Sequence, residues 1–246
     1  MKKLETLSIV VPFYNEEENI EATVREIRET FDTRVERYEM VLVNDGSHDR
    51  TAALADELAR KDPRVRVVHH PKNLGYGSAI LSGFSAASNE LIFYTDGDLQ
   101  FDLKEFDRLV PLLASYDIVT GYRGNRRDPW YRKLNAGTYN MVVRILFGVK
   151  VTDLDCAFKI YRKSMFEKIH PQSTGIFICG DILIQATKLG LKIGEVEVTH
   201  YPRTKGTPTA GNPFVILTAM FELSKFCAGH LFRKPHDHES VPVVKR

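Results

Sequence analysis

Apolar and polar positions along the chain fall into two kinds of block. Short runs rich in β-branched and aromatic residues, "LSIVVP" (7–12), "YEMVLVND" (38–45), "VRVVHH" (65–70), "LIFYTD" (91–96) and "YDIVTGY" (116–122), are each bounded by turn residues. Near-continuous apolar runs of this kind predict strands buried on both faces, and therefore parallel. Between them apolar residues recur at helical spacing: Ile20, Val24, Ile27 and Phe31, then Leu54 and Leu58, then Ile80, Phe84 and Ala87. Strand and helix alternate, which predicts an α/β fold with an open, mostly parallel sheet sandwiched by helices. Ligands of such sheets bind outside the carboxyl ends of the strands, so the residues just after each strand carry the chemistry.

Those ends read "PFYNEEEN", "NDGSHDRT", "HPKNLGYGSA" and "TDGDLQFD". Ser47 or Asp49 suits a helix N-cap, Asn15 another, and Gly46 a turn. Asp45 differs, because it ends a hydrophobic strand before any cap is needed; a carboxylate there suits the N–H of a nucleobase. The glycine loop has Ile80 where a dinucleotide fingerprint needs its third glycine, and no P-loop lysine and hydroxyl follow. Phosphate binding by its N–H groups and a plain tight turn stay equally open. After the fourth strand, residues two apart share a side, so Asp96, Asp98 and Gln100 project together. Three oxygen donors suit a hard divalent cation, Mg2+ or Mn2+. Without one the two carboxylates would repel and one would hold its proton.

Composition narrows the class. A chain of 246 residues, 43% hydrophobic and 27% charged, is ordinary globular material of about one domain. Its 34 basic and 32 acidic residues exclude a strongly basic nucleic-acid binder, so charge acts locally. The local excess is "YRGNRRDPWYRK" (122–133), where Arg123, Arg126, Arg127, Arg132 and Lys133 face one Asp128. Arginine forks suit phosphate. Cys156, Cys179 and Cys227 lie far apart without zinc spacing, which fits buried thiols in a reduced, cytoplasmic protein. No run approaches the ~20 apolar residues of a membrane span, and the N-terminus has no signal-peptide core. Two stretches are amphipathic instead, 133–149 and 213–234. Their apolar faces are expected on a membrane surface, with burial against the sheet or in a homodimer as the alternative.

"VVPFYNEEENI", "VLVNDGSHDRT", "NLGYGSAI" and "DGDLQFD", in that order and spacing, resemble the family 2 glycosyltransferases, and among them the polyprenyl-phosphate, dolichol-phosphate mannose synthase-like branch. The resemblance covers about residues 7–205 and implies a GT-A fold. It implies that Pro12, Tyr14, Glu16 and Asp45 hold the base and ribose of a nucleotide sugar, and that Asp96, Asp98 and Gln100 hold the metal bridging its diphosphate. It places a lipid phosphate on the basic loop, with Arg123 and Arg132 the better matched positions. "VTDLDCAFKIYRK" (151–163) stands where the family has Asp-x-Thr-Ser-Gly-Phe-Arg, with Asp155, Cys156, Ala157 and Lys159 as departures. "VTHYPRTKGTPT" (198–209) stands where a basic loop closes over the donor, leaving Arg203 and Lys205 to reach the phosphates. His200 is expected to be structural.

The expectation is therefore a metal-dependent, inverting hexosyltransferase. A GT-A domain over 1–212, an amphipathic helix over 213–234 and a polar tail over 235–246 would act peripherally at the cytosolic membrane face. Donor and acceptor are a GDP- or UDP-sugar and a polyprenyl phosphate, with Asp98, Arg123 and Arg132 in the catalytic roles. Two alternatives stand beside it: transfer to a hydroxyl of a glycan, and a catalytically idle nucleotide-sugar-binding protein.

Overall fold

The computed structural model describes residues 3–124 and 140–206, together with Glu222, Ser224 and Phe226. Strands β1 (Leu4–Phe13), β2 (Val35–Asn44), β3 (Val65–His69) and β4 (Leu91–Thr95) alternate with helices α1 (Ile20–Phe31), α2 (Thr51–Lys61) and α3 (Tyr76–Ala86). A run of short helical turns that includes α4 (Phe106–Leu109) leads to β5 (Ile118–Arg123). Helix α5 (140–147), β6 (Phe158–Arg162), α6 (Ile178–Lys188) and β7 (Ile193–Val198) complete the described part.

One seven-stranded sheet runs in the order β3-β2-β1-β4-β6-β5-β7. Strands β1, β2, β3 and β4 pair in parallel, as the continuous apolar runs predict, and so do β5 and β7. Strand β6 lies antiparallel to both neighbours, between β4 and β5. Neither β6 nor β7 stands out in the sequence. "FKIYR" carries a buried lysine and an arginine, and "IGEVEV" contains two glutamates, so neither reads as an apolar run.

Alternation along β4 divides the core. Phe93 faces the layer of α1 and α4, where its ring centroid lies 5.7 Å from Phe31 and 5.2 Å from Phe106. Tyr94 faces the opposite layer, 6.1 Å from Phe84 of α3. The stripe Ile20, Val24, Ile27 and Phe31 is wholly buried, each side chain contributing roughly 2 kcal/mol of transfer free energy. Both cysteines among the described residues, Cys156 and Cys179, are free and buried. Burial pushes their thiols up to about 12 and about 11, so neither is a thiolate near neutral pH. No helix among the described residues is long and apolar enough to cross a membrane.

Candidate active site

The carboxyl ends of β1, β2, β3 and β4 meet at one edge of the sheet, and the two non-glycine residues with positive φ among those described lie there. Asn15 follows β1 at φ 54° and Leu99 follows β4 at φ 61°. Such conformations cost of order 1 kcal/mol or more and persist where the surroundings enforce them. Around Asn15 that enforcement is visible: its N–H donates to Ser47 Oγ at 3.0 Å, and its Oδ1 accepts from His48 N at 2.8 Å. Glu16 N donates to Thr51 Oγ1 at 2.8 Å and Glu17 N to Asp49 Oδ2 at 3.1 Å. The residues suited to capping thus splice the loop after β1 to the loop after β2. Tyr14 stands edge-on to His48, centroids 6.3 Å apart.

Asp45 is buried at the end of β2. Its Oδ1 takes a hydrogen bond of 2.7 Å from His70 Nδ1 and one of 2.8 Å from Leu74 N, and its Oδ2 takes one of 3.0 Å from Gly75 N. His70 Nε2 meets Ser82 Oγ at 2.9 Å on α3. These internal donors hold the glycine loop. The glycines are required by close approach. A Cβ on Gly75 would stand 2.7 Å from Thr174 O, and one on Gly77 would stand 2.7 Å from Gly175 O and 2.8 Å from Ser173 O. His70 escaped the sequence reading because nothing local distinguishes it from a strand-end histidine.

Beyond β4, Asp96 Oδ1 accepts from Tyr76 Oη at 2.8 Å and from Tyr94 Oη at 3.3 Å. Burial raises the Asp96 carboxyl, against those two hydroxyls and the charges of Arg123 and Lys159. Asp98 is pushed up to about 7, first by burial and then by the charge of Asp96. Two half-buried carboxylates competing for charge without full compensation form a donor set that fits a hard divalent cation. Among the described residues no three His, Cys, Asp or Glu side chains converge as a metal site, so a third protein donor would come from Gln100. Its Nε2 donates to Tyr201 O at 2.8 Å and its N–H to Asp98 Oδ1 at 3.2 Å, and the amide oxygen is left over as a ligand atom.

The segment after β7 lies across this edge. Tyr201 N donates to Gln100 O at 2.7 Å, and a bridge joins His200 to Phe101, whose ring it also meets edge-on. Arg203 forms an ion pair with Glu16, Asn19 Nδ2 donates to the other Glu16 oxygen at 2.6 Å, and Gly206 N donates to Glu18 Oε2 at 3.0 Å. Arg203 is close enough for its charge to draw the Asp98 carboxyl down. Lys205 is exposed beside it.

Of the basic cluster, Arg123 is described, and Arg126, Arg127 and Arg132 lie outside the described residues. Arg123 was expected to face a phosphate. Its fork is closed on Asp153, Nε to Oδ2 at 2.6 Å and Nη2 to Oδ1 at 2.8 Å. Burial works against the guanidinium charge, but the Asp153 hydrogen bonds outweigh it and raise its pKa. Asp153 itself lies in the segment where the sequence departs from the family pattern. Lys159, the most conspicuous departure, is fully buried on β6, and its Nζ donates to Leu154 O at 3.1 Å and to Cys156 O. Its charge draws down the Asp96 carboxyl.

The model of glycosyl transferase family 2 matches residues 8–170, a span that contains all four strand ends. The chain belongs to glycosyl transferase family 2. Among curated relatives of this family 2 member, it is 34% identical over 210 residues to the undecaprenyl-phosphate 4-deoxy-4-formamido-L-arabinose transferase of Pectobacterium atrosepticum, covering 83% of this chain and 62% of that one. It is 33% identical to the dodecaprenyl-phosphate galacturonate synthase of Rhizobium johnstonii, again over 83% of this chain and 62% of the relative. The family 2 chain therefore spans less than two thirds of the length of these relatives. Its fold is GT-A: the glucosyl-3-phosphoglycerate synthase of Mycobacterium tuberculosis, solved with Mn2+ and UDP-glucose, superposes with a TM-score of 0.70 at 22% identity, over 91% of this chain and 79% of that one.

Proposed function

We propose that this glycosyltransferase moves a sugar from a nucleoside diphosphate donor to a polyprenyl phosphate, with inversion at the anomeric carbon. The observation that carries the reading is the undercompensated Asp96 and Asp98 pair beneath the Arg203 segment. Carboxylates whose pKa burial raises serve a bound cation better than they serve the bare fold. The relatives named for undecaprenyl- and dodecaprenyl-phosphate support the acceptor class.

Pro12, Tyr14 and Glu16 line the donor side, where the loops after β1 and β2 are spliced. Asp45 serves the base on that side, and its carboxylate also holds Leu74 and Gly75. Asp96, Asp98 and Gln100 would hold Mg2+ or Mn2+, whose chemistry at this site is neutralisation of the departing diphosphate. Arg203 and Lys205 add positive charge on the same side. A phosphate oxygen of the acceptor forms the new bond to the anomeric carbon as the bond to the diphosphate breaks, and this direct displacement inverts the centre. The acceptor is already anionic, so no general base has to take a proton. Positive charge must hold it. Arg123, Arg126, Arg127 and Arg132 are assigned that part, and Arg123 also ties the end of β5 to Asp153.

Meeting such an acceptor requires a membrane surface, which we place at the cytosolic face. Helix α5 supports this, because Met141, Ile145 and Leu146 are 55%, 72% and 58% exposed while Val143 on its other side is fully buried. The helix expected over 213–234 lies outside the described residues except for Glu222, Ser224 and Phe226.

The deciding experiment presents the full chain with a panel of nucleotide sugars, Mn2+ and undecaprenyl phosphate in vesicles, followed by mass spectrometry of the lipid. A glycosylated phospholipid is expected, and Asp98→Ala should lower turnover by at least about a hundredfold. Transfer only to a glycan hydroxyl would overturn the acceptor, and donor binding without transfer to any acceptor would overturn the enzyme.

A further inference from the structure

Tyr76 opens α3 directly from the glycine loop, and Tyr94 stands two residues before Asp96 on β4. Residues two apart in an extended chain share a side, so the Tyr94 hydroxyl and the Asp96 carboxylate rise together beneath the Tyr76 ring. The two rings meet edge to face with centroids 6.5 Å apart. Tyr76 Oη donates to Asp96 Oδ1 at 2.8 Å, Tyr94 Oη reaches the same oxygen at 3.3 Å, and the two hydroxyls touch each other. Both donors therefore converge on one oxygen. Among the described residues no group donates a hydrogen bond to Asp96 Oδ2.

A carboxylate turns freely about its last torsion unless something holds it. Donors behind a ligating carboxylate fix its plane and are worth tenfold or more in metal affinity. A phenol is well suited to this, because it holds the oxygen without cancelling the charge that attracts the cation. An arginine in the same place would cancel it.

We propose that Tyr76, seconded by Tyr94, is a positioning residue for the divalent cation: it holds Asp96 by Oδ1 and presents Oδ2 to the ion. The inference rests on the proposed role of Asp96 as a metal ligand. It also joins two halves of the site. Residues 74 and 75 are held by Asp45 and residue 76 holds Asp96, so three consecutive residues connect the end of β2 to the end of β4.

The test titrates Mn2+ into the full chain with nucleoside diphosphate present, reading free and bound Mn2+ by electron paramagnetic resonance, for wild type, Tyr76→Phe, Tyr94→Phe and Tyr38→Phe. Tyr38 is a remote control whose hydroxyl bonds Asp32 and Arg64. Tyr76→Phe is expected to weaken Mn2+ binding about tenfold or more, with turnover restored at saturating Mn2+. Tyr94→Phe should lose less and Tyr38→Phe nothing. Wild-type Mn2+ affinity in folded Tyr76→Phe, or an equal loss in Tyr38→Phe, would overturn the inference while leaving the metal reading intact. Should Tyr76→Phe not fold, unchanged affinity in Tyr94→Phe would overturn it. A wild-type chain that binds no Mn2+ would remove the metal reading and this inference together.

Discussion

Asp62 shows how much of the polar chemistry in this chain is structural. It accepts from Arg28 Nε at 2.9 Å, Arg64 Nη2 at 3.0 Å and Arg64 N at 3.0 Å, tying the end of α1 to the turn before β3. Burial works against its charge, yet the Arg64 and Arg28 contacts outweigh it and hold the carboxyl below its ordinary range. A depressed carboxyl contributes stability that is present above the unfolded-state pKa, near 4, and is lost as pH falls through the folded value. Asp62→Asn is therefore expected to cost about 2 kcal/mol at pH 7, with the gap to wild type closing below about pH 3. Urea unfolding across that range checks it, and a gap that persists undiminished in acid would contradict the ion-pair account. Asp98 sits at the opposite extreme, raised to about 7 first by burial and then by the charge of Asp96. The contrast separates a carboxylate that holds the fold from one left open to a ligand. Both are single acidic residues in turn-like sequence, and only their partners distinguish them.

At the scale of elements, the glycine loop is the piece on which the others converge. Its backbone lies against residues 173–175, and Ser78 N donates to Thr174 O at 3.2 Å. Residues 173 and 177 in turn meet Glu222, whose Oε2 accepts from Ser173 Oγ at 3.2 Å and from Phe177 N at 3.2 Å. Phe226 packs on Phe177 and on Phe147 of α5, at centroid distances of 5.1 Å and 5.7 Å. A chain of contacts therefore runs from α5 to the loop that holds Asp45 and Asp96. Gly77→Ala should break it at the middle. Helix propensity would favour alanine by about 1 kcal/mol, but the new methyl group would stand 2.7 Å from one backbone carbonyl oxygen and 2.8 Å from another. Overpacking against backbone costs about 1–3 kcal/mol, so a net loss of stability by denaturant unfolding and a weaker nucleotide affinity by calorimetry are expected together. Unchanged affinity would disconnect the loop from the donor site.

At the scale of the whole molecule, the strand-end edge of the sheet and the exposed side of α5 are the surfaces that the proposed lipid acceptor would meet. Apolar side chains of α5 with Arg144 and Lys150 on the same part of the chain, and Lys188 over the Phe147 ring, suit an anionic surface without spanning it. The full chain is expected to float with anionic vesicles at low salt, less so at high salt, and Ile145→Glu should reduce flotation severalfold while leaving donor hydrolysis unchanged. Flotation of Ile145→Glu equal to wild type would move the contact away from α5. By itself the sequence determined the repeating strand and helix, the buried stripe of α1, and the acidic end of β4, because periodicity and strand-end chemistry are local properties of the chain. It also carried the family, through four motifs in fixed order. Only the tertiary structure decided that β6 enters antiparallel between β4 and β5, since a strand's direction and neighbours depend on the path of the segments between. It alone closed Arg123 on Asp153 and Asp45 on His70, and brought Tyr76 onto Asp96. Those pairs lie 30, 25 and 20 residues apart. A side chain's partner at such separations is set by how the sheet stacks its strand ends, and no local pattern encodes that.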